Sequence, residues 1–159
     1  MQNEELKDAV DLAAGNIEAA AAIRSIYAEL QAEIDRRKPI CVASGKCCNF
    51  ESYGHRLYVT TLELAVFATD LKDCLPELGG HPLPVIAGRC PLQSGRLCGV
   101  HAIRPFGCRI FFCDPTATQW QQDQYEAFHA KIKSLHQQFD IPYFYVEWRQ
   151  ALGLLGIRV

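Results

Sequence analysis

Cysteine is the residue type in this chain with the clearest capacity for chemistry. Seven of the eight cysteines fall in two short segments: Cys41, Cys47 and Cys48 in residues 41–48, and Cys90, Cys98, Cys108 and Cys113 in residues 90–113. Thiolate sulfur binds zinc and iron, and it also holds iron-sulfur clusters. We therefore predict that these seven cysteines bind zinc or iron, with an iron-sulfur cluster as one form of the site.

The compartment decides whether such thiols stay reduced. Residues 1–5 are acidic and lack the basic and apolar regions of a secretory signal, and no later stretch approaches the length of a membrane span. We therefore predict a cytoplasmic protein with no membrane partner. Because cytosolic thiols stay reduced, eight cysteines favour metal binding or thiol chemistry over a disulfide framework. Cys74 lies alone and is interpreted as a small buried apolar residue.

Composition and charge limit the other partners. The chain has 159 residues, of which 49% are hydrophobic and 21% charged, and this is typical of a single globular domain. Its 16 basic and 18 acidic residues leave a net charge of -2, which offers no electrostatic footprint for nucleic acid. We predict a metal ion as the partner and no nucleic-acid binding, while a protein partner stays open and unidentified.

The spacing of the cysteines is less informative than their number. The chain contains no Cys-x2-Cys pair, so neither an ordinary zinc ribbon nor the bacterial ferredoxin run is present. The neighbouring side chains of Cys47 and Cys48 tend to diverge, which makes joint ligation of one ion unfavourable. Either one of the two is a ligand, or they serve two ions, or one stays available for redox chemistry.

Basic residues accompany the second cysteine segment. Several thiolates around one or two divalent ions carry net negative charge, and guanidinium groups can offset this charge from outside the ligand shell. We assign this cofactor-binding role to Arg104 and Arg109; the alternative is that they are solvated surface side chains. A helix that begins at Pro115 would add its positive end near Cys113 and favour the thiolate.

Hydrophobic periodicity predicts helices on both sides of the cysteine segments. Residues 4–38 carry apolar positions at helical spacing, with a division at Gly15 and a basic end before Pro39. A short strand at residues 57–59 is followed by a helix whose start carries a capping box, Thr60 with Glu63, and whose end precedes Pro76. The stretch 75–88 is predicted to be a loop, and Ser94-Gly95 a tight turn.

Two more helices are predicted in the C-terminal third. One begins with Asp114 as N-cap and Pro115 as its first residue, and it ends before residues 140–142. Its His129 and His136 share a face that we interpret as solvated. The other covers residues 143–155 and buries Phe144 and Trp148. The predicted fold is mainly α: one small helical domain, residues 1–159, with irregular cysteine-rich metal-binding loops and room for a short β-hairpin.

These motifs together resemble the YkgJ-type cysteine-cluster family, described as a zinc- or iron-chelating domain. The resemblance covers about residues 41–113, between flanking helices 4–38 and 115–155. It is carried by Gly45-x-Cys47-Cys48, by Cys90-Pro91-Leu92, by Cys98, and by Arg104-Pro105-x-x-Cys108-Arg109. A similar domain occurs in flagellin lysine methylases, so the resemblance permits an enzymatic setting.

One family ligand is replaced in this chain. The first family motif is Cys-x2-Cys-x2-Cys-Cys; Cys41, Cys47 and Cys48 match it, and Ser44 stands at the second cysteine position. Ser44 can donate a weaker oxygen, Cys113 can supply the missing sulfur, or the site has fewer ligands. His101 stands where the family usually has tyrosine, and it is either a further ligand or a hydrogen-bonded structural residue.

Three functions are compatible with these observations. The first is a metal-binding protein whose zinc or iron organises the fold, and we favour it. The second is a metal- or thiol-dependent enzyme in redox or protein-modification chemistry, which would need an open coordination position or a reactive thiol. The third is a zinc-stabilised protein-interaction module with a saturated four-ligand site. No catalytic residue is assigned.

Overall fold

A computed structural model of the protein describes residues 1–41, 48–49, 56–74, 89–94 and 97–157. These residues form six α-helices and two small antiparallel sheets, so the prediction of a mainly α fold is confirmed. The predictions for Ser44, Cys47, Gly95 and residues 75–88 lie outside the described residues. The elements are α1 (Gln2–Ala14), α2 (Ile17–Arg37), β1 (Tyr58–Thr60), α3 (Thr61–Cys74), β2 (Gln93–Ser94), β3 (Leu97–Cys98), α4 (Phe106–Arg109), α5 (Thr118–Gln138), β4 (Tyr145–Glu147) and α6 (Trp148–Leu154).

The N-terminal helical region divides at Gly15, as predicted. Gly15 ends α1, and Asn16 begins α2 by accepting a hydrogen bond on its side-chain oxygen from the Ala19 backbone N–H at 2.9 Å. This is the usual way in which asparagine satisfies an otherwise unpaired donor of a first helical turn. The second helix ends at Arg37, and the next residue, Lys38, caps it in the left-handed conformation at φ 52°.

Helix α3 lies at the centre of the fold. Residues 61–67 are all buried, so the rest of the protein covers the first two turns of α3 on every side. Helix α1 packs along α3, and α2 contacts both α3 and α5. A single cluster of buried apolar residues therefore extends from Leu6 in α1 to Leu152 in α6. None of the helices in the described ranges is long and apolar enough to cross a membrane.

The buried start of α3 carries the predicted capping box. The Glu63 carboxylate accepts from the Thr60 backbone N–H at 2.9 Å, and the Thr60 hydroxyl oxygen accepts from the Glu63 N–H at 3.4 Å. The capping box is thus confirmed. Glu63 is only 2% exposed, which distinguishes it from a capping glutamate on a protein surface.

Distant parts of the chain complete the same helix start. The Thr61 N–H donates to the Phe144 carbonyl at 3.2 Å, and the Leu62 N–H donates to Nε2 of His136 at 3.2 Å. A helix leaves its first four N–H groups without partners inside the helix, and buried N–H groups need acceptors. Because two of these acceptors come from residues 136 and 144, the start of α3 joins the middle of the chain to its C-terminal third.

The two sheets are short and differ in origin. Strands β2 and β3 form a short β-hairpin, for which the predicted fold left room, with Gln93 opposite Cys98. Strands β1 and β4 pair antiparallel although they are far apart in sequence, with Tyr58 opposite Glu147. The predicted strand at residues 57–59 is thereby found one residue later. The predicted helix over 143–155 begins only at Trp148, because residues 145–147 instead pair with β1.

The prediction that His129 and His136 share a solvated face is wrong for His136. Its side chain is 2% exposed, and Nδ1 lies 3.0 Å from the Ile132 carbonyl oxygen. Since the Leu62 N–H can only donate, Nε2 of His136 accepts, and Nδ1 carries the proton that binds Ile132. The neutral ring therefore fits this place, and burial lowers the pKa of His136.

His136 gives the fold a specific pH dependence. Between its lowered pKa and about 6.5, the unfolded chain binds a proton that the folded chain does not. The contribution of neutral His136 is therefore complete above about pH 6.5 and is lost as the pH falls through this window. We expect His136→Leu, which leaves the Leu62 N–H without an acceptor, to lower the free energy of unfolding by about 1–3 kcal/mol near neutral pH.

Urea unfolding at about pH 7.5 and about pH 5.5 measures this effect, and the gap between wild type and variant should narrow at the lower pH. His129→Leu is the matched control, because Nε2 of His129 pairs with the Tyr143 hydroxyl at 2.9 Å in an exposed position. That control should lose less than about 1 kcal/mol. A gap for His136→Leu that stays constant with pH would contradict the assignment.

Candidate functional site

Four cysteines from separate stretches of the chain line one small cavity. They are Cys48, Cys90, Cys98 and Cys108, and the rest of the wall is Leu57, Val100, Arg104, Pro105 and Trp148. The cavity measures about 20 Å³, which is close to the space of a single water molecule. Apart from the sulfur atoms its wall is almost entirely apolar, so the four thiols are the side-chain groups available to an occupant.

A short backbone pairing places Cys48 opposite Cys90. Asn49 and Arg89 form an antiparallel bridge, and the Cys90 N–H donates to the Cys48 carbonyl at 2.7 Å. Directly opposed residues of an antiparallel pair have neighbouring side chains. Both side chains are buried, at 8% exposure for Cys48 and 7% for Cys90. The two cysteine segments of the sequence therefore meet at this bridge.

The β2–β3 hairpin brings Cys98 to the same cavity. The Gln93 N–H donates to the Cys90 carbonyl at 3.1 Å, which turns the chain after Cys90 into β2. Cys98 then returns opposite Gln93, and the Gly99 N–H closes the hairpin base on the Leu92 carbonyl at 2.9 Å. Leu92 itself is 3% exposed and anchors the hairpin in the core.

Cys108 reaches the cavity from the short helix α4. The Phe106 N–H at its start donates to the Glu63 carboxylate at 2.8 Å, and the Phe106 ring is 2% exposed. Glu63 thus holds both the start of α3 and the start of the helix that carries Cys108. Burial raises the pKa of Glu63, against the lowering effect of the hydrogen bonds from Thr60 and Phe106.

The surroundings of Cys90 favour its thiolate. A hydrogen bond from the Cys48 thiol lowers the pKa of Cys90, and burial opposes this effect. The Leu92 backbone amide and the Trp148 indole also lower the Cys90 pKa, and the indole N–H donates to the Cys90 sulfur at 3.4 Å. Thiolate is the form of cysteine that binds metal ions. Donors directed at a buried sulfur are therefore consistent with a ligand.

Arg104 and Arg109 shape the turn that carries Cys108. Arg104 lines the cavity, and it donates from Nη1 to the Cys108 carbonyl at 3.2 Å and from Nε to the His101 carbonyl at 2.9 Å. Arg109 lies outside the cavity lining; it donates to the Arg104 carbonyl at 2.6 Å and stacks 4.3 Å above the Tyr27 ring. Arg104 thus lies next to the thiols, whereas Arg109 lies farther from them and binds the backbone of Arg104.

Four cysteines that line one cavity can bind a metal ion only if their sulfur atoms also point at a common centre. In the described part of the chain, no group of three or more histidine, cysteine, aspartate or glutamate side chains is already arranged so that it could hold a metal ion. The four thiols therefore share a cavity without converging on one point. Ligation would need the sulfur atoms to move closer together, and rotation about a cysteine side-chain bond between staggered positions is the smallest such change.

Cys41 and Cys113, two further predicted ligands, lie away from the cavity. Cys41 is exposed, and neither Cys41 nor Cys113 belongs to the cavity lining. The residues next to them in sequence are hydrogen-bonded to each other: the Ile40 N–H, beside Cys41, donates to the carboxylate of Asp114, beside Cys113, at 3.1 Å. Asp114 caps the 3-10 turn Pro115–Ala117 that precedes α5, so the predicted cap is confirmed. His101 is also absent from the cavity lining.

Two residues of the site were not predicted as such. Trp148 was predicted only to be buried, and Glu63 only to cap a helix. In each case the decisive partner lies far along the chain: Cys90 for Trp148, and Phe106 for Glu63. An isolated glutamate within a run of apolar residues, as in Thr61–Phe67, is the one sequence signal that points to a buried role for Glu63.

Comparison with known protein families, curated proteins and solved structures finds no match to this chain.

Glu63→Gln tests whether one carboxylate holds both helix starts. A glutamine has a single acceptor oxygen, so either the Thr60 N–H or the Phe106 N–H would face an amide NH2 group. We expect a loss of about 1–3 kcal/mol in the free energy of unfolding, measured by urea denaturation. Glu29→Gln is the control, because its exposed ion pair with Lys131 should contribute less than about 1 kcal/mol. Equal losses in the two variants would contradict this role.

Proposed function

We propose that this protein binds one metal ion, zinc in the first place and iron as the alternative, through Cys48, Cys90, Cys98 and Cys108. The observation that carries the proposal is the single cavity that these four cysteines line. We also propose the cytoplasm as the compartment, because its reducing conditions keep such thiols available for a metal. The ion would be a resident part of the folded protein.

The donor set and the cavity size support a single ion. Four thiolates around a tetrahedral centre are typical of zinc, and of iron in sulfur sites. A space of about 20 Å³ suits one ion better than a cluster of several iron and sulfide atoms, which would have to displace the apolar wall. A mononuclear centre is therefore preferred to the iron-sulfur cluster that the sequence leaves open.

The alternative for buried cysteines is that they act as small apolar residues. The hydrogen bonds that Cys90 receives argue against this for the cavity. Its sulfur receives hydrogen bonds from the Cys48 thiol and from the Trp148 indole, whereas a purely apolar neighbour would need neither.

The role that best fits this site is structural. A metal that joins Cys48 to Cys108 closes a loop of about 60 residues, and metal binding then contributes directly to folding stability. For free metal at about 100 times its Kd, the stabilisation is about 2.7 kcal/mol. The ion would also join the β2–β3 hairpin, through Cys98, to α4, through Cys108.

The enzymatic alternative has less support than the structural role. A cavity of about 20 Å³ is too small to hold an organic substrate, and four sulfur ligands leave a tetrahedral ion without an open position. The interaction-module alternative uses the same saturated site and differs only in the presence of a partner. Metal binding is common to the proposed role and to the metal-dependent alternatives, and it is therefore the property to test first.

Serine substitutions test the four ligands one at a time. We expect Cys48→Ser, Cys90→Ser, Cys98→Ser and Cys108→Ser each to lose most of the bound metal and to melt at a lower temperature, because a tetrahedral site with three sulfur ligands holds its ion less tightly. Elemental analysis of anaerobically purified protein gives the metal content, and colour separates iron from colourless zinc. One metal per chain is expected in the wild type.

Cys74→Ser is the matched control, since Cys74 ends α3 and does not line the cavity. Cys41→Ser and Cys113→Ser should also keep the metal, because neither residue lines the cavity. Loss of metal in any of these three controls would overturn the assignment of ligands. A wild-type protein that is purified without zinc or iron and takes up neither from solution would overturn the proposed function itself.

A further inference from the structure

One hydrogen bond to a cavity sulfur comes from the C-terminal part of the chain. Trp148 is the first residue of α6 and is 1% exposed. Its indole Nε1 lies 3.4 Å from the Cys90 sulfur, and its ring lines the cavity. Residues 115–155 lie outside the stretch that carries the cysteine motifs, and this contact therefore connects a flanking element to the candidate metal site.

Three contacts fix the position of the Trp148 ring. Its backbone N–H donates to the Leu57 carbonyl at 2.8 Å, beside the β1–β4 pairing. The ring packs edge-on against Phe67 of α3, with centroids 4.9 Å apart. An indole has one donor and no acceptor, so its burial at this point requires an acceptor in front of the N–H. Cys90 supplies that acceptor.

We propose that Trp148 is a positioning residue for the metal site, whose indole N–H holds the Cys90 sulfur at the cavity. This inference rests on the proposed metal binding. A hydrogen bond from outside the ligand shell orients a ligand and stabilises the electron pairs of its sulfur, and the loss of such a bond typically lowers metal affinity about 10–100-fold. The contact also couples folding of the C-terminal helix to the state of the site.

Cobalt(II) titration of the purified metal-free full-length protein tests this role, because cobalt in thiolate sites gives sulfur-to-metal charge-transfer absorption. Trp148→Phe keeps an aromatic ring and removes the N–H. We expect about 10–100-fold weaker cobalt binding, and a charge-transfer band at longer wavelength because the sulfur electrons are no longer stabilised by the hydrogen bond. Trp120→Phe makes the same chemical change away from the cavity and should leave both readouts unchanged.

Phe67→Leu separates positioning from packing. This variant loosens the contact with the Trp148 ring but keeps the N–H, so we expect a lower melting temperature with an unshifted charge-transfer band. If Trp148→Phe binds cobalt with wild-type affinity and an unshifted band, Trp148 has no positioning role, and the proposed function stands. If the wild type binds no cobalt and no zinc, the proposed function fails first.

Fluorescence gives a second measurement should Trp148→Phe fail to fold. The chain has two tryptophans, so Trp120→Phe leaves Trp148 as the only indole emitter. A cobalt ion bound by Cys90 would lie within a few ångströms of that indole and should quench its emission, with the same Kd as the charge-transfer band. Trp148 emission that stays unquenched at saturating cobalt would overturn the inference.

Discussion

The fold depends on the fact that helix α3 begins inside the protein. Its first residues, 61–67, are all buried, and water cannot serve the N–H groups of this helix start. The Glu63 carboxylate, the Phe144 carbonyl and the His136 ring supply the acceptors instead. Each acceptor fixes a different part of the chain. Leaving one buried N–H without its acceptor costs about 1–3 kcal/mol. Together these contacts therefore account for a large fraction of the free energy of unfolding of an ordinary domain.

This constraint also explains which elements the sequence predicts well. The helix division at Gly15, the capping box at Thr60 and the cap at Asp114 are local: each depends on residues at most a few positions apart. Local hydrogen bonds leave a pattern in the sequence. For that reason their positions were predicted to within a few residues, and the helical character of the fold followed from the same periodicity.

The errors share one physical origin, which is pairing over long distances. The polar residues Lys133 and Gln137 beside His136 on α5 led to the prediction of a solvated face, yet a backbone N–H of α3 binds its ring in the core. Residues 145–147 lie within an apolar pattern typical of a helix, yet they form a strand. They do so because they pair with β1, whose backbone N–H and C=O groups would otherwise lack partners. Neither partner can be identified from residues nearby in sequence, since each lies more than about 70 positions away.

The candidate site follows the same division between local and distant information. The number and grouping of the cysteines predicted a thiol-rich site, and the structure brings four of the seven predicted ligands to one cavity. Which four they are depends on the Asn49–Arg89 bridge, the β2–β3 hairpin and the Glu63 contact to α4, none of which is encoded in the cysteine spacing. Since Glu63 holds α3 and α4 with one carboxylate, the helix start that organises the core also positions Cys108. A metal at the cavity would therefore stabilise the same junction that the buried helix start requires, and the site and the fold would depend on each other.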